Sequence, residues 1–159
     1  MPVPIHCEVA SAIVLEDGPA VPRLLLLRRA KEYLKGEWCH VAGAIEAGES
    51  AWQAALREIE EETGLPVRRL YSADVTEQFY EASKNRISIV PAFVAYVDPD
   101  APVRLNAEHS EYRWVSFDEA RRLVPFGGQR RLYDEIEREF FQRHPTRWLE
   151  ISLHQDGSA

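Results

Sequence analysis

Two periods govern the hydrophobic and polar positions of this chain, and each predicts its own kind of element. Glu8–Leu15 and Arg23–Arg29 read as strands, joined by a turn around Asp17-Gly18-Pro19. Leu24–Leu27 is apolar without a break, the pattern of a central strand covered on both faces. Ala30–Trp38 carries charge and Gly36 and reads as a loop, and His40–Ile45 reads as a short strand leading into Gly43 and Gly48. The period then becomes helical. Trp52, Ala55, Leu56 and Ile59 form one apolar stripe. Ser50 and Gln53 make a capping box of the S-x-x-Q type. Gly64 suits the left-handed residue beyond a helix end, and Pro66 cannot continue the helix. The spacing therefore predicts a helix over 51–63. Leu70–Glu81 and Arg86–Val97 read as a hairpin turning at 82–85. Asp98–Pro102 is a loop and Tyr112–Val115 a short strand. Ser116 and Glu119 open a helix through Leu123. Gln129–Arg143 is a last helix, with Leu132, Tyr133, Ile136 and Phe140 on one face and Pro145 beyond it. Trp148–Leu153 fits a final strand or a packed tail. These elements add up to an α/β (α+β) fold, a mixed sheet sandwiched between helices, in a single domain over 1–159.

Composition narrows the function. The 159 residues suit one core, and 45% hydrophobic with 28% charged residues is the profile of an ordinary globular chain. No apolar run approaches the ~18 residues that cross a bilayer, and Met1–Pro4 does not begin a secretion signal, so no membrane partner and a cytoplasmic location are expected. Cys7 and Cys39 are too few and too far apart for a zinc site and read as unremarkable thiols. The net charge of −7 argues against binding a nucleic acid backbone. It leaves phosphate substrates open, because divalent cations can stand between carboxylates and phosphates.

The helix over 51–63 concentrates the chemistry. Residues three and four apart share a helix face, so Glu58, Glu61 and Glu62 lie together beside the apolar stripe, with Arg57 able to pair with Glu61. Alone, such a cluster is most often a solvated acidic face. Its surroundings change that reading. Gly43, Glu49, Arg57, Glu58, Ile59, Glu61, Glu62, Gly64 and Leu65 match every fixed position of G-x5-E-x7-R-E-U-x-E-E-x-G-U, where U is a bulky aliphatic residue. At ordinary residue usage, chance agreement is on the order of 10⁻⁹ per window. The segment resembles the box of the Nudix hydrolases, and the resemblance extends over about 8–143.

The resemblance implies a fold, a cofactor and a set of roles. The box would form a loop, a helix and a loop, with the glutamates holding Mg²⁺, for which Mn²⁺ can substitute. Glu58 and Glu62 would be the primary metal ligands, joined by Glu61 and by Glu108 of the segment Glu108-His109-Ser110-Glu111-Tyr112-Arg113-Trp114. Arg57 would orient the carboxylates rather than touch substrate. The catalytic group is then Glu61, Glu62, Arg57 and Glu108, with the general base left open among Glu61, Glu108 and Glu111. Trp38-x-x-Val41, Arg28-Arg29 and Gln129-Arg130 match the subgroup that hydrolyses nucleoside and dihydroneopterin triphosphates. Arg28 or Arg29 would hold a phosphate. Trp38 and Phe79 would stack on the substrate ring, whereas Trp114 suits core packing better. Tyr80 lies where some dinucleotide polyphosphate hydrolases carry a tyrosine, though a strand tyrosine is more often packing. The loop Ala30–Lys35 is longer than is usual in the subgroup and the hairpin Phe79–Arg86 differs.

The function expected is Mg²⁺-dependent cleavage of a diphosphate linkage in a small nucleotide-like molecule. A (deoxy)nucleoside triphosphate (dNTP) or dihydroneopterin triphosphate giving monophosphate and pyrophosphate comes first, and ADP-ribose or a dinucleotide polyphosphate is the alternative. A non-catalytic sensing module of the same fold is a third reading, disfavoured because the box carboxylates are intact. Nudix hydrolases are often homodimers, but no feature of this sequence demands one.

Overall fold

The computed structural model describes residues 1–153, so the last six residues of the expected domain lie outside the described ones. In chain order the elements are β1 (Ile5–His6), β2 (Val9–Glu16), β3 (Leu24–Arg29), β4 (Trp38–Cys39), β5 (Val41–Ala44), α1 (Ala51–Thr63), β6 (Arg69–Glu81), β7 (Arg86–Val97), β8 (His109–Val115), α2 (Phe117–Leu123), α3 (Gly127–Ile136) and β9 (Glu150–Ile151). A π-helical turn (Glu137–Gln142) continues α3, and a 3-10 turn (Arg147–Leu149) precedes β9. No helix among the described residues is long and apolar enough to cross a membrane.

The sheet is mixed, as expected. Its centre is the parallel pair β2 and β7, in register from Ser11 opposite Ala92 to Glu16 opposite Val97. Its main path runs β4-β3-β2-β7-β6-β9, with β5 added to β2, β8 to β3 and β1 to β7. Leu24–Leu27 shows why the sequence is apolar without alternation. Leu24 and Leu26 pack into one core with Phe117, Leu132, Tyr133, Ile136 and Phe140. Leu25 and Leu27 pack into the other with Ala54, Ala55 and Ile59 of α1. All four leucines are fully buried, each contributing roughly 1.5–3 kcal/mol of apolar burial. The sheet is thus covered by α1 on one face and by α2 and α3 on the other.

Local signals hold at the helix ends. Ser50 and Gln53 exchange both capping-box hydrogen bonds, and Gly64 takes the left-handed conformation with φ 68°. Ser116 accepts the amide of Glu119. The differences lie where pairing across the chain decides. Trp38, expected in a loop, pairs with Arg28 in β4. The strand expected from Tyr112 begins at His109, because β8 follows β3 to its end. The last helix begins two residues earlier than expected, and its α-helical part stops at Ile136 before widening into the π turn. Residues 147–151 are a turn followed by a two-residue strand on β6. In β6 the register to β7 shifts between Ser72 and Thr76, where Asp74 has φ 62° and donates its amide to Ser72 Oγ.

Candidate active site

The capping box and the stripe on Ala54, Ala55 and Ile59 fix the rotation of α1 against the sheet, and that rotation decides where its acids point. Glu58 and Glu62 lie on the buried side, while Glu61 turns to solvent. Arg57 ties the cluster together. Its guanidinium donates to Glu49 (2.6 and 3.1 Å), to Glu58 Oε1 (2.8 Å), to Glu61 Oε2 (3.3 Å) and to the Ala44 carbonyl (2.8 Å). Glu49 in turn accepts the Glu46 amide at 2.8 Å, which holds the loop before α1. Gly43 leaves room for Glu58: a Cβ on residue 43 would overlap the Glu58 carboxyl group.

Pairing of β8 with β3 brings a distant segment to α1. Arg29 lies opposite His109, and the Ala30 amide donates to the Glu108 carbonyl at 2.9 Å. As a result Glu62, Glu108 and His109 each offer a ligand atom within 4.8 Å of the others. Glu62 and His109 are only 2% and 6% exposed. Glu62 Oε2 and His109 Nδ1 find no hydrogen-bond partner among the described residues. Buried polar atoms are normally satisfied, so two unpartnered ones in one cluster are donors suited to a cation. Carboxylate oxygens and an imidazole nitrogen suit a divalent ion. The residues present therefore fit the metal that the box implies.

The electrostatics agree. Burial, reinforced by Glu58 and Glu108, pushes the Glu62 carboxyl up to about 9. Burial also raises Glu58, against the pull of Arg57. At Glu108 burial acts upward most strongly, but the hydrogen bond (3.2 Å) and charge of Lys31, with Glu62 and His109, together outweigh it and hold the carboxyl below its ordinary range. Burial lowers His109, with Arg29 acting the same way. Like charges gathered out of water are a poor arrangement for stability and a good one for holding a cation.

Beside the cluster opens a cavity of about 780 Å³, the size of a small-ligand site. Arg29, Cys39 and His109 line it on the side of the acids, and His40, Glu77, Phe79, Tyr80 and Phe126 line it further along the sheet and α3. Tyr33 and Leu34 of the long loop and 79–83 of the hairpin also line it, so both segments that depart from the subgroup face this space.

The candidates for substrate contact divide. Arg29 and Phe79 line the cavity. Arg28 does not: it donates to Glu111 at 2.8 Å and to the Gly36 carbonyl, and Glu111 is not part of the trio of Glu62, Glu108 and His109. Trp38 is buried in a core cluster with Arg113 stacked 4.8 Å from its ring, so neither face is open to a ligand. The next two residues, Cys39 and His40, line the cavity instead. Sequence reasoning assigned no role to His109, His40 or Glu77. The Glu108-His109 pair was the one local signal for the first, and nothing local marks the other two.

Comparisons with known proteins bear on this geometry. The family described as NUDIX domain matches residues 6–143. The octanoyltransferase of Myxococcus xanthus is 44% identical over 124 residues, covering 77% of this chain and 34% of that protein. The asymmetrical bis(5'-nucleosyl)-tetraphosphatase of Rattus norvegicus is 35% identical over 94 residues, covering 56% of this chain and 62% of that protein. The chain thus spans about a third of the first relative and less than two thirds of the second. Among solved structures, the MutT protein of Methanosarcina mazei superposes with TM-score 0.72 at 27% identity over 89% of this chain and 99% of that one. The dihydroneopterin triphosphate pyrophosphohydrolase of E. coli superposes with TM-score 0.67 at 21% identity, over 84% of this chain and 97% of that one.

Proposed function

The chain belongs to the Nudix family, and on that premise we propose that it hydrolyses a nucleoside triphosphate-like substrate to a monophosphate and pyrophosphate, using Mg²⁺ or Mn²⁺. The observation that carries this reading is the pair of orphaned buried atoms, Glu62 Oε2 and His109 Nδ1, beside a ligand-sized cavity. Glu62, Glu108 and His109 would hold the ion, with Glu58 and Glu61 of α1 as further carboxylate ligands. When bound, the ion neutralises the diphosphate oxygens and makes water a better nucleophile.

The residues of the chain do the rest. Arg57 fixes the carboxylates of Glu49, Glu58 and Glu61 relative to one another. Arg29, between the cluster and the cavity, holds a phosphate. Glu61 or Glu108 takes the proton from the attacking water, and the diphosphate leaves as the water oxygen bonds to phosphorus. Phe79 and its neighbours receive the ring.

A second reading has its own support. The Rattus norvegicus relative and one from Sus scrofa, 34% identical over 103 residues, are named asymmetrical bis(5'-nucleosyl)-tetraphosphatases. Tyr80 lines the cavity, as a dinucleotide site would use it. Both readings keep the same ion site and differ in what fills the cavity.

The deciding experiment incubates the protein with Mg²⁺ and a panel of the common nucleoside triphosphates, dihydroneopterin triphosphate, ADP-ribose and a diadenosine tetraphosphate, with products separated by chromatography. Monophosphate and pyrophosphate from a triphosphate support the first reading. Cleavage of the dinucleotide alone supports the second. Turnover of none of them overturns both.

A further inference from the structure

Glu77 is the acid of this cavity that the proposed hydrolysis does not use. Its side chain is 11% exposed, lies on β6 and lines the cavity. Its nearest cation-forming partner, His40 Nε2, is 3.6 Å away, too long for a hydrogen bond. No hydrogen bond to the Glu77 carboxylate forms among the described residues. The carboxylate is half-buried and lines the cavity, with acceptor capacity that a ligand seated there can use.

His40 lies beneath it. His40 is 4% exposed, and its Nδ1 lies 2.7 Å from the hydroxyl of Tyr133. Tyr133 is fully buried, and burial holds its hydroxyl well above the ordinary value, so it keeps its proton. Nε2, on the other edge of the ring, faces Glu77. Tyr133, His40 and Glu77 thus lie in order from the core to the cavity wall. Two residues on along β6, and therefore on the same side of the strand, Phe79 lines the cavity as well. Phe126 joins it at the start of α3. Two carboxylate acceptors beside aromatic side chains suit a flat heterocycle with hydrogen-bond donors on its edge.

Carboxylate chemistry then selects among heterocycles. Its two oxygens only accept hydrogen bonds. A 2-amino-4-oxo ring, as in guanine or a pterin, presents a ring N–H beside an exocyclic amino group, two adjacent donors that match the two oxygens. Adenine and cytosine present one amino donor next to a bare ring nitrogen, whose lone pair opposes the second oxygen. Uracil and thymine present a single N–H between two carbonyl oxygens. Resting on the triphosphate reading above, we infer that Glu77, on the cavity wall beside Phe79, selects substrates whose ring carries the 2-amino-4-oxo edge.

The test compares kcat/KM for GTP and ATP with Mg²⁺, in the wild type and in Glu77→Gln. The expected result is a preference for GTP of about tenfold or more, a lower bound for a site that hydrogen-bonds a substrate edge. The variant should lose most of that preference, since an amide offers one donor and one acceptor. Unfolding temperature reports whether the variant folds. Binding of GMP and AMP to the wild type, followed calorimetrically without turnover, gives a readout independent of both variant and catalysis. Equal use of GTP and ATP by the wild type, or an unchanged ratio in a folded variant, overturns the inference while leaving hydrolysis intact. Preferred binding of GMP without hydrolysis of either triphosphate supports the ring selection and overturns the triphosphate reading. No preference in either assay overturns the inference outright.

Discussion

The carboxyl group of Glu58 occupies the space that a Cβ on residue 43 would need. The glycine that opens the box is therefore a packing partner of one of its glutamates. Gly43→Ala should push Glu58 out of line while leaving both core clusters in place. We expect a loss of kcat/KM of tenfold or more, the scale on which displaced supports of metal ligands act, with a small change in unfolding temperature. Activity and melting measured on one preparation check both parts.

Arg57→Lys tests the hub of the cluster. A lysine keeps the charge, but a single ammonium cannot reach Glu49, Glu58, Glu61 and the Ala44 carbonyl together as the planar guanidinium does. Metal affinity or activity should fall by about 10–100-fold, seen as a shift of the Mg²⁺ titration to higher concentration. A titration identical to the wild type would remove Arg57 from the site.

His109→Ala removes the one nitrogen donor from the trio with Glu62 and Glu108. Imidazole favours transition ions over Mg²⁺, so Mn²⁺ binding should weaken more than Mg²⁺ binding. Calorimetric titration of each ion into wild type and variant gives the two ratios. Equal weakening would place the imidazole outside the ligand set.

Glu62 makes stability depend on pH in a direction unusual for a carboxylate. Its folded value, about 9, lies above the value of about 4.3 expected in an unfolded chain. Across that interval the folded state keeps a proton that the unfolded chain gives up. The stability this group supports is fully present below about pH 4.3 and is lost as pH rises through about 9. Unfolding temperature in a chelator should accordingly carry a downward slope toward alkaline pH. Saturating Mg²⁺, which binds the ionised carboxylate, should flatten that slope. Parallel curves with and without the ion would contradict this account.

The core prediction is simpler. Leu26 is fully buried between β3 and the helices α2 and α3. Leu26→Ala should cost about 2–5 kcal/mol in a urea titration, with the metal titration unchanged.

Where the sequence was informative, the reason is local chemistry. The box helix was legible to the residue because Ser50, Gln53 and Gly64 act within one turn of its ends. The four-leucine strand was legible because burial on both faces erases alternation. The site divides the same way. The grouping of Glu58 and Glu62 follows from helical spacing, but the arrival of Glu108 and His109 follows from the β3–β8 register, which spans eighty residues of chain. That long-range pairing also extended β8 back to His109. Burial of Trp38 and exposure of His40 to the cavity are set by which core the strand meets, and no short pattern records that. Glu77 reads in sequence as one more acid on a strand; only His40 and Tyr133, brought from elsewhere in the chain, distinguish it.

The cavity and the acidic cluster share a border at Arg29 and His109 but are built from different stretches of chain. The cluster draws on the glycine loop, α1 and the start of β8, whereas much of the cavity wall comes from the β6–β7 hairpin and the first turn of α3. Grafting residues 77–83 and 126–131 from another member of the fold should therefore retarget this catalyst to a different ring without redesigning its bond-breaking apparatus.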